Sequence, residues 1–151
     1  MRGVLRIEPT RILLVEDDPN DRELIRLALG TYGFLDQMDI ATDGEQALSY
    51  LLGQQSTPLR PLPRLVLLDL KLPKISGIQV LQALRAHPRT RNLIVVVMTS
   101  SQEDSDLNNC YDLGVNSYVV KPLDFQQYLE VIQKVGFYWM VLNHPPLFSS
   151  E

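Results

Sequence analysis

Four short clusters of reactive side chains stand out along the 151-residue chain: Glu16-Asp17-Asp18, Asp69 within RLVLLDLKLP, Thr99-Ser100, and Lys121-Pro122. Each follows an apolar run, at RILLV (11–15), RLVLL (64–68), NLIVVVM (92–98) and SYVV (117–120). Carboxylates drawn together repel one another, so a site built from them needs a divalent cation or raised pKa values. All-oxygen donors with room for water and phosphate form a Mg2+ environment. A carboxylate can itself attack phosphorus. The transferred group then needs a metal ion, an ammonium and hydroxyl donors around its charge. Mg2+, Lys121 and Thr99 would supply these three. Asp69, after the run that reads as central and most buried, is the best-placed nucleophile.

Such residues can meet only if the chain brings the run ends together. A fifth strand-like run lies at MDIA (38–41), and stretches of helical spacing separate all five. They carry Leu24–Leu29, Glu45–Leu52, Ile78–Leu84, about 102–113, and Phe125–Val135. Helix starts are marked by Asp18-Pro19, by Ser101 with Asp104, and by Asp124 with Gln127, the last two spaced like capping boxes. Gly30, Gly53 and Gly114 offer stops. Five strands alternating with five helices imply βαβ crossovers, hence a parallel sheet covered on both faces. The fold class expected is α/β, a flavodoxin-like (βα)5 doubly wound sandwich. In open parallel sheets ligands bind outside the carboxyl ends of the strands, where the four clusters fall. Taken singly, each has a plainer use: Asp17 and Asp18 as helix caps, Thr99 as a turn residue, Lys121-Pro122 as a loop dipeptide.

Composition narrows the class. A hydrophobic fraction of 45%, a charged fraction of 21% and a net charge of −4 suit one globular domain and argue against a basic nucleic-acid-binding face. No window has the apolar length of a membrane span, and no signal peptide is evident. The single cysteine, Cys110, reads as a buried inert thiol and fits a reducing compartment, so a cytoplasmic location is expected. His87 and His144 lack metal-ligand spacing and read as surface residues.

The motifs together resemble the receiver domain of two-component response regulators. They are VEDD (15–18), LLDLKLP followed by SG (67–77), MTSS (98–101) and YVVKP (118–122), in order across about residues 10–135. The resemblance implies that Asp69 is the phosphoacceptor and that Asp17 binds Mg2+ directly. It implies Glu16 as a water-mediated ligand and the backbone carbonyl of Lys71 as a further one. Thr99 would contact the phosphoryl group, Lys121 would pair with it, and Tyr118 would be the aromatic switch that turns inward with Thr99. The Lys121–Pro122 peptide would be cis. Two departures stand out: Lys71 adds a positive charge beside the site, and Ser76-Gly77 stands where many receivers carry an aspartate.

The domain division expected is an extension over 1–9, a receiver over 10–135, and a C-terminal helix extension and tail over 136–151. No effector domain is expected. The run VGFYWMVLNHPPLF (135–148) reads as a continued helix with more apolar surface than one face can bury. Phe137, Tyr138, Trp139 and Leu142 are therefore candidate interface residues. Together with the proline-rich loop at 54–63, this tail resembles receivers that pair with bacterial phytochrome histidine kinases. The expected partners are a sensor histidine kinase of that kind and a second copy, with no nucleic acid and no membrane. The chain is read as a phosphoacceptor that promotes its own phosphotransfer and autodephosphorylation, not as an enzyme. A haloacid dehalogenase-type site would need an acid where Lys71 stands. A nucleotide-binding flavodoxin-like module would need a phosphate cradle where EDDPND lies. A pseudo-receiver acting only through protein contacts is the alternative.

Overall fold

The structure, a computed structural model, describes residues 11–53 and 60–146. Five strands, β1 (Ile12–Val15), β2 (Met38–Ala41), β3 (Leu65–Leu68), β4 (Val95–Thr99) and β5 (Ser117–Val120), form one parallel sheet in the order β2-β1-β3-β4-β5. Five helices alternate with them: α1 (Pro19–Gly30), α2 (Gly44–Leu52), α3 (Gly77–Ala86), α4 (Asp104–Asp112) and α5 (Phe125–Phe137). The strand order reverses between β1 and β3, where the crevice of a doubly wound sheet opens.

The continuous apolar runs are explained by two-sided burial. Every residue of β1, β3 and β4 is buried, while the edge strands β2 and β5 are only partly covered. Alternate residues serve opposite faces. Leu13, Val15, Val66, Leu68, Val95 and Val97 pack with Ala47, Leu51, Val80, Leu84 and Cys110, on the side of α2, α3 and α4. Ile12, Leu14, Leu65, Leu67, Val96 and Met98 pack with Ile25, Leu29, Tyr128 and Ile132, on the side of α1 and α5. The side chains beyond these runs are therefore delivered at one level of the sheet.

Helix starts follow the local chemistry in most cases. Asp18 accepts from the backbone N–H groups of Asn20 and Asp21, Asp124 accepts from Gln127, and Ser76 forms a full capping box with Gln79. Helix α4 differs. It begins at Asp104 with Glu103 at the cap position and no capping side chain. Ser101 instead donates its hydroxyl to Asp106 at 2.5 Å and accepts from the Glu103 N–H, so its oxygen is engaged across the loop and does not close a helix end.

Two other expectations are corrected. The Lys121–Pro122 peptide is trans. That is the favoured isomer of an X–Pro bond by about 0.5–1 kcal/mol, and the Lys121 N–H continues the ladder to the Thr99 carbonyl at 2.7 Å. The C-terminal helix widens into a π turn over Tyr138–Leu142 and ends there. Met140 is buried and Trp139 half-buried, both against the α1–α5 side of the core, and Arg64 donates to the carbonyls of Trp139 and Asn143. Phe137, Tyr138, Val141 and Leu142 stay exposed. Of the proline-rich loop, residues 54–59 lie outside the described residues, as do 1–10 and 147–151 at the ends. Cys110 is fully buried, its thiol pushed up to about 11 chiefly by that burial. His87 and His144 are exposed.

Candidate functional site

The chain leaves β1 into Glu16 and β3 into Asp69, two neighbouring strands whose carboxyl ends lie side by side. Glu16 is 1% exposed and Asp69 8%. Lys121, at the end of β5, reaches across the sheet and donates its ammonium to Glu16 Oε1 at 2.8 Å and to Asp69 Oδ2 at 3.0 Å. A third contact, 2.8 Å to Asp21 Oδ2, comes from the first turn of α1. Asp17 is exposed, yet one carboxylate oxygen each from Glu16, Asp17 and Asp69 lie within 4.8 Å of one another. Three carboxylates converge at one edge of the sheet.

Electrostatics follow from that crowding. Burial lifts the Glu16 carboxyl to about 7, against the lowering effect of its Lys121 hydrogen bond and with a further push from the charge of Asp69. Burial also works against the Lys121 ammonium. The bonds to Asp21 and Glu16 and the charge of Asp69 outweigh it, leaving Lys121 above the ordinary lysine value. One ammonium among four acids leaves the cluster short of positive charge. Hard oxygen donors of this kind suit Mg2+ or Mn2+, so Glu16, Asp17 and Asp69 could hold a divalent ion.

The backbone around Asp69 is tightly supported. Its N–H donates to the Val15 carbonyl, and Oδ1 accepts from the Lys71 N–H at 3.3 Å. The structure thus brings Lys71 to the site through its backbone, with the side chain exposed. Gly77 explains part of the LDLKLP…SG spacing. A Cβ there would sit 2.3 Å from the Asp69 carbonyl oxygen and 2.6 Å from Leu70 Cα. Further along the same loop, a Cβ on Gly44 would lie 2.2 Å from the Ile75 carbonyl oxygen. The loop after Asp69 packs closely on both glycines.

Thr99 ends β4, fully buried, and its Oγ1 accepts from the Ser101 N–H at 3.2 Å. Tyr118, half-buried on β5 against the core, donates its hydroxyl to the Ser101 carbonyl at 3.1 Å. Thr99 and Tyr118 therefore meet through one loop residue. A pocket of about 570 Å3 lies elsewhere, beside β2 and α2, and contains none of these residues. Among its charged groups, Lys74 faces both Asp43 and Glu45.

Two residues at the site escaped the sequence reading. Asp21 lies in the first turn of α1, where an acid has an ordinary use beside the helix N-terminus, so nothing in the residue order pointed to Lys121. Arg22 donates from Nη1 to the carbonyls of Glu16 and Asp17 at 3.3 and 2.8 Å, bracing the acidic turn.

The family model for the response regulator receiver domain matches residues 12–133. The chain belongs to this family. As a receiver it is a component of two-component signalling. FilR2 of Methanothrix harundinacea (strain 6Ac), a probable methanogenesis regulatory protein, is 40% identical over 92% of this chain and 89% of its own length. The phosphorylated cyanobacterial phytochrome response regulator RcpA matches the fold with a TM-score of 0.86 at 31% identity, covering 91% of this receiver and 99% of RcpA. The Mn(2+)-bound form of the response regulator Rcp1, a protein of Synechocystis sp., matches with a TM-score of 0.83 at 33% identity, covering 92% and 100%. The receiver is thus related to phytochrome response regulators. Among its described residues no helix is long and apolar enough to cross a membrane.

Proposed function

We propose that this receiver accepts a phosphoryl group on Asp69 from the phosphohistidine of a sensor histidine kinase. A carboxylate oxygen of Asp69 forms the bond to phosphorus as the phosphorus–nitrogen bond breaks, and the electron pair returns to the imidazole. Asp17, Asp69 and the backbone carbonyl of Lys71 would hold Mg2+, with Glu16 acting through water. The bound metal would offset negative charge on the phosphoryl oxygens. Lys121 already faces Asp69 and would take another of those oxygens. The carrying observation is the ammonium of Lys121 shared by Asp69 and Glu16 at a cluster of three carboxylates.

The hydrogen bonds support a route outward from the site. Thr99 reaching toward the phosphoryl group would give up its bond from the Ser101 N–H, and Tyr118 is fastened to that same residue. The signal would then reach the face of α4, β5 and α5, where Tyr111, Val120, Leu123 and Phe125 are exposed. Kinship with RcpA and Rcp1 supports a bacterial phytochrome kinase as partner. The exposed Phe137, Tyr138 and Leu142 support a homodimer formed by the 136–151 extension, with Trp139 turned toward its own core. Light scattering at micromolar concentration tests the dimer, and a monomer refutes it.

Intact-protein mass after incubation with acetyl phosphate and Mg2+ tests the acceptor. One labile phosphoryl adduct on the wild type, absent from Asp69→Asn, is the expected result. No adduct on the wild type overturns the proposal in favour of a pseudo-receiver.

A further inference from the structure

Lys121 is held by three carboxylates, and one of them has no part in the phosphoryl chemistry proposed above. Asp21 Oδ2 accepts from Lys121 Nζ at 2.8 Å, as close as Glu16 and closer than Asp69. An ammonium has three N–H donors and no acceptor, so these contacts use all of its capacity. The partners differ in their access to water. The side chains of Glu16 and Asp69 are 2% and 10% exposed, and that of Asp21 is 27% exposed. Releasing a buried carboxylate strands it without solvent, whereas Asp21 can be rehydrated.

Phosphorylation of Asp69 adds negative charge directly in front of Lys121. To take a phosphoryl oxygen the ammonium has to give up one present contact. Asp21 is the least costly to release. Its location makes it more than a spare counterion, because it fixes Lys121 from α1 while the other two partners sit at strand ends.

We infer that Asp21 is a positioning residue, a tether that holds Lys121 in the resting site and competes with an incoming anionic phosphodonor for its ammonium. This rests on Asp69 being the acceptor. Removing the tether leaves Lys121 freer to meet the donor, so Asp21→Asn lowers the acetyl phosphate concentration at half-maximal phosphorylation rate. A decrease of about three- to fivefold is expected for one partly exposed charged contact. The maximal rate changes less, because Glu16 and Asp69 are untouched.

The test uses the full chain with acetyl phosphate and Mg2+, following the phosphorylated fraction by intact mass over a concentration series. Wild type is compared with Asp21→Asn, with Asp21→Ser, which removes the carboxylate but keeps a residue favoured at helix starts, and with Glu23→Gln. Glu23 is an exposed acid of the same helix that pairs with Arg26 and not with Lys121, so its variant carries the same charge change. A lower half-saturation in both Asp21 variants, with Glu23→Gln at the wild-type value, supports the tether. Equal shifts in all three variants, or none in the Asp21 variants, overturn it.

A second readout needs no phosphodonor. The Lys121 ammonium is followed by nitrogen-15 NMR in the resting protein, where faster exchange of its protons with water in both Asp21 variants supports the tether. An unchanged signal overturns it, even if the wild type proves not to accept phosphate.

Discussion

Glu16 offers a quantitative check on the electrostatics of the site through its pH-dependent stability. Its carboxyl is carried from an ordinary 4.5 to about 7, chiefly by burial. Well below pH 4.5, folded and unfolded chains both hold this proton. Between about 4.5 and 7 the folded state keeps the proton that the unfolded state releases, so stability falls as pH rises. A tenfold change in proton affinity is worth about 1.4 kcal/mol. The displacement therefore costs the folded receiver about 3 kcal/mol once both states are ionised. Glu16→Gln replaces the carboxyl with a neutral group of similar shape and removes this dependence.

The assay is urea unfolding of both proteins at pH 5 and pH 7.5, with chelator present so that no divalent ion binds. Other displaced groups leave the interval undisturbed. Asp39 is held low by the hydrogen bond from Arg11, so its contribution is lost only in acid, below its ordinary 3.8. Lys121 is raised above 10.5, so its contribution is present throughout and lost only in strong alkali. The wild type should lose about 2–3 kcal/mol more than Glu16→Gln between the two pH values. Parallel behaviour of the two proteins would mean that Glu16 is ionised at ordinary cost, and the account of a cation-poor buried cluster would fail.

Three further outcomes are expected. Gly77→Ala drives a methyl into the backbone at Asp69 and Leu70, whereas Gly136→Ala meets only the end of the Leu29 side chain, at 2.4 Å. Calorimetry should show a loss of about 3 kcal/mol or more for the first and about 1 kcal/mol or less for the second; equal losses would contradict the backbone clash. Lys71 touches Asp69 through its backbone and carries an exposed side chain; with Asp69 as the acceptor proposed above, Lys71→Ala should alter the half-life of the phosphorylated protein measurably, an unchanged decay by mass spectrometry dismissing the idea. Tyr128 buries a hydroxyl that has no hydrogen-bond partner among the described residues, so Tyr128→Phe should raise stability by about 1 kcal/mol. A destabilised variant in thermal unfolding would show that the hydroxyl is satisfied by water.

The relation between chain and fold was uneven in an instructive way. Runs such as LVLL before Asp69 and ILLV before Glu16 declared themselves because a strand covered on both faces has no polar position to spare. Asp18 and Asp124 declared helix starts because a cap is satisfied within three residues of itself. The rule that parallel sheets present their carboxyl ends to a crevice then placed Glu16, Asp69, Thr99 and Lys121 along one edge. All of this rests on interactions between near neighbours or on the handedness of βαβ connections.

What stayed hidden depends on partners far away along the chain. Asp21 is an acid in the first turn of α1, and only the fold sets it 2.8 Å from a lysine 100 residues later. Ser101 had the spacing of a cap but found Asp106 and the hydroxyl of Tyr118 across its loop. The apolar stretch after Val135 looked uniformly available, yet a π turn rotated Met140 and Trp139 onto the core and left Phe137, Tyr138 and Leu142 outside. Residue order alone determined the strands, the helix starts and the kind of chemistry gathered at the sheet edge, since each is decided by local hydrogen bonding and burial pattern. Which acid holds Lys121, and which aromatic faces water, was decided only when tertiary packing brought remote groups within a few ångströms.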